Sequence, residues 1–174
     1  MKARALAFVA LLLVSGCETT PNVSTDHDAA FDFSNLRTYT WVYTAPPQGM
    51  NPLQYQRVRA SIDRALQQRS FTQGSPGDFA VAFTLGARDR VEVSDFGPYG
   101  PGFRPWGWGG GWARQVDVRN VTDGTLVIDM YDVRTRQPIW HGVATQQISG
   151  NVSQEQIDRA VDTMLAQFPP TPAR

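Results

Sequence analysis

Asp78-Phe79-Ala80-Val81-Ala82-Phe83-Thr84-Leu85 alternates large apolar side chains with small ones, the period of a strand that buries one face. Phe79, Val81, Phe83 and Leu85 therefore turn together toward a core, and the stretch predicts the strand on which the rest of the domain packs. Toward the amino terminus, Tyr39, Trp41 and Tyr43 fall on one side of a second alternating run, preceded by a turn-like Ser34-Asn35. Between the two runs, Asn51-Pro52 supplies an N-cap followed by proline at the first helical position. Tyr55, Val58, Ile62, Ala65 and Leu66 then recur at spacings of three and four, which predicts an amphipathic helix of about four turns.

Toward the carboxyl terminus, Val116 and Val118 begin a strand and Asp123-Gly124 reads as a turn. Leu126, Ile128 and Met130 then alternate with Val127, Asp129 and Tyr131, so this segment predicts a hairpin. Arg134-Thr135-Arg136-Gln137-Pro138 is a second turn region, and Ile139-Trp140-His141-Gly142-Val143-Ala144 a further strand. Ser153-Gln154-Glu155-Gln156 has the form of a capping box. Ile157, Val161, Met164, Leu165 and Phe168 make a helical stripe that Pro169-Pro170 ends. Each helical stripe needs an apolar partner and only the sheet can supply it. The expected fold is α+β: a mostly antiparallel sheet with two amphipathic helices packed on one face.

One segment has no period. Residues 94–113 form a Gly/Pro/Trp-rich loop carrying Tyr99, Phe103, Trp106, Trp108 and Trp112, and its glycines and prolines prevent regular structure from propagating. Two readings fit. Exposed rings would give flat apolar faces for a partner protein or a glycan, with Arg104 and Arg114 at the rim. Alternatively, the rings fold back over an open sheet face, or the loop lacks fixed structure.

The amino terminus carries a different signal. Met1-Lys2-Ala3-Arg4 is a short basic start, and residues 5–14 are apolar but too few to span a bilayer. Ser15-Gly16 is a small-residue neck before Cys17, the single cysteine. This pattern resembles a bacterial lipoprotein signal, which implies cleavage before Cys17 and attachment of diacylglycerol to its sulfur. The resemblance gives residues 1–16 as signal peptide, 17–24 as lipidated tether and 25–170 as one α+β domain. Several acyl chains hold a protein on a membrane far more firmly than one, at about 0.8 kcal/mol per buried methylene. Glu18 after the cysteine implies, by the logic of lipoprotein sorting, the outer membrane facing the periplasm.

Composition excludes several classes of function. Without residues 1–16 the chain has 14 arginines, no lysine and 16 acidic residues, a net charge of −2. No basic face for nucleic acid is implied. With Cys17 acylated, no thiol is left for a disulfide, a zinc site or a nucleophile. His27 lies between Asp26 and Asp28 in a polar segment, and His141 lies on a strand as a buried hydrogen-bonded imidazole or on a half-exposed face. Asp129 and Asp132 have odd separation on a strand, so they point to opposite faces and cannot share acid and base roles. Asp132 suits turn capping instead. The glycines at 107–111 lack the Gly-Lys-Ser/Thr ending of a phosphate loop and open no helix. The expectation is a non-catalytic, membrane-anchored domain without metal or cofactor, whose partner is an envelope protein or a cell-wall glycan. The alternative is a hydrolase of envelope glycans or lipids using an unrecognised carboxylate site.

Taken in order, several residues resemble one family. They are Asp32-Phe33 with Thr38-Tyr39 and Trp41, Asn51-Pro52, Asp78, Gly124-Thr125-Leu126 with Asp132, Trp140 with Gly142, and a last helix ending Phe168-Pro169. Together they are similar to the lipoproteins grouped as domain of unknown function 4136, over most of the chain from about Ser24 to Pro170. The resemblance implies an envelope lipoprotein with no established catalytic residues, so Cys17 is the only site it carries over.

Overall fold

The structure is a computed structural model that describes residues 20–95 and 116–170. Its strands are β1 (Asn22–His27), β2 (Thr38–Trp41), β3 (Thr72–Gln73), β4 (Phe79–Asp95), β5 (Val116–Asp132) and β6 (Pro138–Ile148). Its helices are α1 (Pro52–Gln68) and α2 (Gln154–Leu165). One sheet runs in the order β1-β6-β5-β4-β2-β3. The pairs from β1 through β4 are antiparallel, whereas β2 pairs in parallel with both β4 and β3. Parallel neighbours need a crossover, and α1 lies in the connection that returns the chain to β3 and β4.

The α+β expectation holds, with both helices on one face of a mostly antiparallel sheet. The inward row Phe79, Val81 and Phe83 is buried, as is the facing row Leu126, Ile128 and Met130. Phe168, just beyond α2, closes the core by contacting four rings: Phe33 at 6.0 Å, Phe71 at 5.5 Å, Phe79 at 5.4 Å and Trp140 at 5.6 Å. Side chains of this size each contribute about 1.5–3 kcal/mol on burial, so this cluster is the centre of the hydrophobic stabilisation.

Both helix starts follow the sequence signals. Asn51 accepts from the amides of Leu53 and Gln54. Ser153 and Gln156 exchange both bonds of a capping box, at 3.2 Å and 2.9 Å. The helices run in the same direction and meet along a polar seam. Ser61 donates to Asp158, and Arg64 lies 3.3 Å from Asp158 and 3.2 Å from Asp162. Burial pushes the Asp158 carboxyl up, but its bonds to Ser61 and Gln154 and the nearby Arg64 charge outweigh that and hold it low.

Four expectations need correction. Asp123-Gly124 is no turn: β5 passes straight through it, with Gly124 opposite Ala87 on β4 and Gln146 on β6. A turn signal loses when both sides of the chain are already paired. The glycine serves packing instead, since a Cβ there would lie 3.1 Å from Cγ2 of Ile148. The strand begun at Phe79 also continues past Leu85 to Asp95, so Ser94 and Asp95, expected in the loop, belong to the ladder with β5. Finally, Asn22–His27, of which the first three residues were expected in the tether, is an edge strand on β6. Val23, Thr25 and His27 turn toward the helix side, His27 meeting the Phe33 ring edge-on at 6.1 Å, and only Val23 of the three is aliphatic, so backbone pairing adds this strand with almost no apolar pattern to reveal it. Tyr43, expected beside Tyr39 and Trp41, lies beyond the end of β2 and is half exposed.

Candidate functional site

The residues that form the ordered motif set act on the scaffold. Asp32 caps the short 3-10 turn at Phe33–Asn35 by accepting from the Ser34 amide at 2.9 Å. Asp78 accepts from the amides of Arg37 and Thr38 and from the Thr38 hydroxyl, clasping the start of β2 to the start of β4. Those bonds, the Thr38 amide first, hold the Asp78 carboxyl below its ordinary range. Asp132 is buried at the β5–β6 turn and accepts from the Arg134 amide and the Thr135 hydroxyl. The Arg134 amide is the main cause of its lowered pKa.

Tyr39 and Trp41 share one acceptor. The Tyr39 hydroxyl donates to Asp63 Oδ1 at 2.7 Å and the Trp41 indole N–H to the same oxygen at 3.0 Å. Burial, then the Asp63 carboxylate, pushes the Tyr39 phenol up. Trp140 lies over Gly142: a Cβ at Gly142 would sit 2.4 Å from Cη2 of the indole. The spacing Trp140-x-Gly142 is therefore a packing requirement, because the ring occupies the volume of the missing side chain.

The sheet face opposite the helices carries the histidine. His141 Nδ1 lies 2.6 Å from Asp129 Oδ1, with both side chains partly exposed, and Asp26 pairs with His141 across the β1–β6 ladder. Asp129 and Asp132 diverge as the odd spacing requires, one on this face and one buried at the turn. Tyr131, beside Asp129, has its phenol pushed up by burial and then by the Asp129 charge. Among the described residues, no three His, Cys, Asp or Glu side chains gather as metal ligands.

Two concavities stand out. One, about 240 Å³, lies between the two helices and the sheet; small residues including Gly86, Gly124, Ala144 and Ala160 line it beside Val58 and Ile157. The other, about 570 Å³, opens beside the short edge strand β3 and is lined by Thr40, Trp41, Thr44, Arg59, Gln73 and Ser75, among others. In the sequence Arg59 carries no signal of its own, falling among the polar positions of α1. The signal that could have found this recess is the spacing of Arg59 and Asp63, which brings both to the exposed side of Trp41.

Cys17 and the aromatic residues Tyr99, Phe103, Trp106, Trp108 and Trp112 lie outside the described residues. No helix among the described residues is long and apolar enough to cross a membrane.

These features define a small α+β domain in which a six-stranded mixed sheet carries two co-directional helices on one side. The chain belongs to the family described as Domain of unknown function (DUF4136), which matches residues 23–170. No curated protein matches it. Among solved structures it is similar to a PDZ domain protein from Parabacteroides distasonis, with TM-score 0.58 and 12% identity over 87% of this chain and 37% of that one. The chain thus spans little more than a third of that protein. It is also similar to a PelC dodecamer from Paraburkholderia phytofirmans, with TM-score 0.50 and 8% identity over 84% of this chain and 95% of that one. At such identities the likeness is one of fold.

Proposed function

We propose that the chain is a non-catalytic lipoprotein, anchored through acylated Cys17 on the periplasmic side of the outer membrane, whose domain binds an envelope protein or cell-wall glycan. One observation carries the non-catalytic reading. The polar motif residues Asp32, Asn51, Asp78 and Asp132 and the pair Tyr39 and Trp41 all spend their side chains on caps, clasps and turns. Polar groups bonded within the fold serve the scaffold, and chemistry would require groups that converge on open space. The basic start, short apolar run and Ser15-Gly16-Cys17 neck support the anchor. The rings of Tyr99, Phe103, Trp106, Trp108 and Trp112 are the proposed contact surface.

Crosslinking in intact envelopes followed by affinity recovery tests the binding reading. A defined partner recovered with the parent chain and lost with the Trp106→Ala, Trp108→Ala double variant is the expected result. Equal recovery from both rules out the loop as the contact. Intact mass of the purified protein tests the anchor: a free thiol at Cys17, with the chain in the soluble fraction, would overturn it.

A further inference from the structure

The recess beside β3 is organised around one cation. The Arg59 guanidinium lies over the Trp41 ring, 4.9 Å from its centroid, and the indole beneath is held in place. Its N–H is bonded to Asp63 at 3.0 Å, and Phe83 meets it edge-on at 6.0 Å. Stacking on a fixed ring restricts the guanidinium without using its N–H donors. Arg59 is half-buried, yet among the described residues it has no hydrogen-bond acceptor and no ion pair. Arg37, Arg64 and Arg69, by contrast, each donate to the protein. The nearest carboxylate along the helix, Asp63, receives Tyr39 and Trp41 on its Oδ1, makes no ion pair with Arg59 and is not part of the recess lining.

Around this cation the lining is neutral and hydrogen-bonding. Thr40, Thr44, Gln73 and Ser75 complete the polar wall, and none of these side chains is bonded to another described residue. Each can both donate and accept, as sugar hydroxyls do. A single guanidinium in a wall with no acidic group matches one carboxylate, whereas phosphate, with its larger charge, draws on more than one cation. Among the described residues lining the recess, Trp41 is the one aromatic or aliphatic side chain that a peptide side chain could pack on.

From this geometry we infer that the recess binds an acidic saccharide, its carboxylate held by Arg59 and its hydroxyls by Thr40, Thr44, Gln73 and Ser75. This gives the glycan side of the proposed function a second site, remote in sequence from the aromatic loop, so either can fail without the other.

The test titrates trigalacturonate into the full-length lipidated protein in detergent micelles, by calorimetry and saturation-transfer NMR. Trigalacturonate should bind, and its fully methyl-esterified form should bind about 10- to 100-fold more weakly, the usual effect of losing a charge-assisted hydrogen bond. Arg59→Gln should lose as much, Arg59→Lys should retain part, and Thr40→Val should weaken trigalacturonate while leaving acetate unchanged. Far-UV circular dichroism of each variant confirms that it is folded. The inference is overturned if trigalacturonate does not bind, if the ester binds equally, or if Arg59→Gln binds like the parent. Tighter binding of a tripeptide with a free carboxyl terminus also overturns it, because the ligand is then a peptide.

Discussion

Replacing Gly142 by alanine sets two opposing effects against each other, and the structure decides which is larger. The added Cβ would lie 2.4 Å from Cη2, 2.8 Å from Cζ3 and 3.2 Å from Cζ2 of Trp140. The indole is rigid, 2% exposed and packed against Phe168, so it cannot swing aside without disturbing the aromatic centre. Overpacking of this kind costs about 1–3 kcal/mol. Against that, alanine in a strand loses less backbone entropy than glycine, a gain of about 0.5–1 kcal/mol. The net expectation is a loss of about 1–2 kcal/mol, or about 2–8 °C in Tm for a domain of this size. Urea unfolding followed by far-UV circular dichroism measures it without relying on the tryptophan signal.

The decisive comparison repeats the change in a Trp140→Leu background. That background is itself destabilised by the lost indole contacts, but it leaves space over position 142. There Gly142→Ala should become neutral or slightly stabilising, so the sign of its effect reverses. The same loss in both backgrounds would refute the steric explanation, since the cost would then come from the backbone alone.

Removing the shared acceptor by Asp63→Ala strands the Tyr39 hydroxyl and the Trp41 indole N–H, and should cost about 2–4 kcal/mol in urea unfolding. Asp63→Asn keeps an oxygen and should cost less than half as much; equal losses would mean that the two donors do not depend on that atom. Acid lability should trace in part to Asp78 and Asp132, alongside Asp158, whose carboxyl is also held low. Their folded pKa values lie below the ordinary 3.8, so the stability they add is complete above that pH and is lost as pH falls through the depressed values. Asp78→Asn and Asp132→Asn should each flatten the fall in urea midpoint below pH 4, and an unchanged slope in both would assign the lability to other carboxylates.

Elements with an apolar period were legible in the sequence: β4 from Phe79, both helices, their caps, and the inward row of β5. What stayed hidden depends on partners rather than on local pattern. The strand Asn22–His27 is set by hydrogen bonding to β6, and its polar side chains leave no period. Asp123-Gly124 has turn chemistry, but ladders on both sides keep it extended. Arg59 is one arginine among many in the sequence. It becomes distinctive only when β2 brings Trp41 beneath it and β3 ends early enough to leave the recess open. Asp132 as a turn cap was legible because its spacing from Asp129 already separated their faces.

The long β4–β5 pair has a mechanical consequence. Each strand has 17 residues, about 56 Å at the usual rise, and their mutual pairing continues beyond Thr122, opposite which β6 ends at Ile148. Both are interior strands of the sheet, so a force along this spar loads the rungs to β2 and β6 in shear, many at a time. Peeling an outer strand would break them one by one. The molecule is thus stiff along the axis of its projecting arm and yields most readily at β1 and β3, its short outer strands.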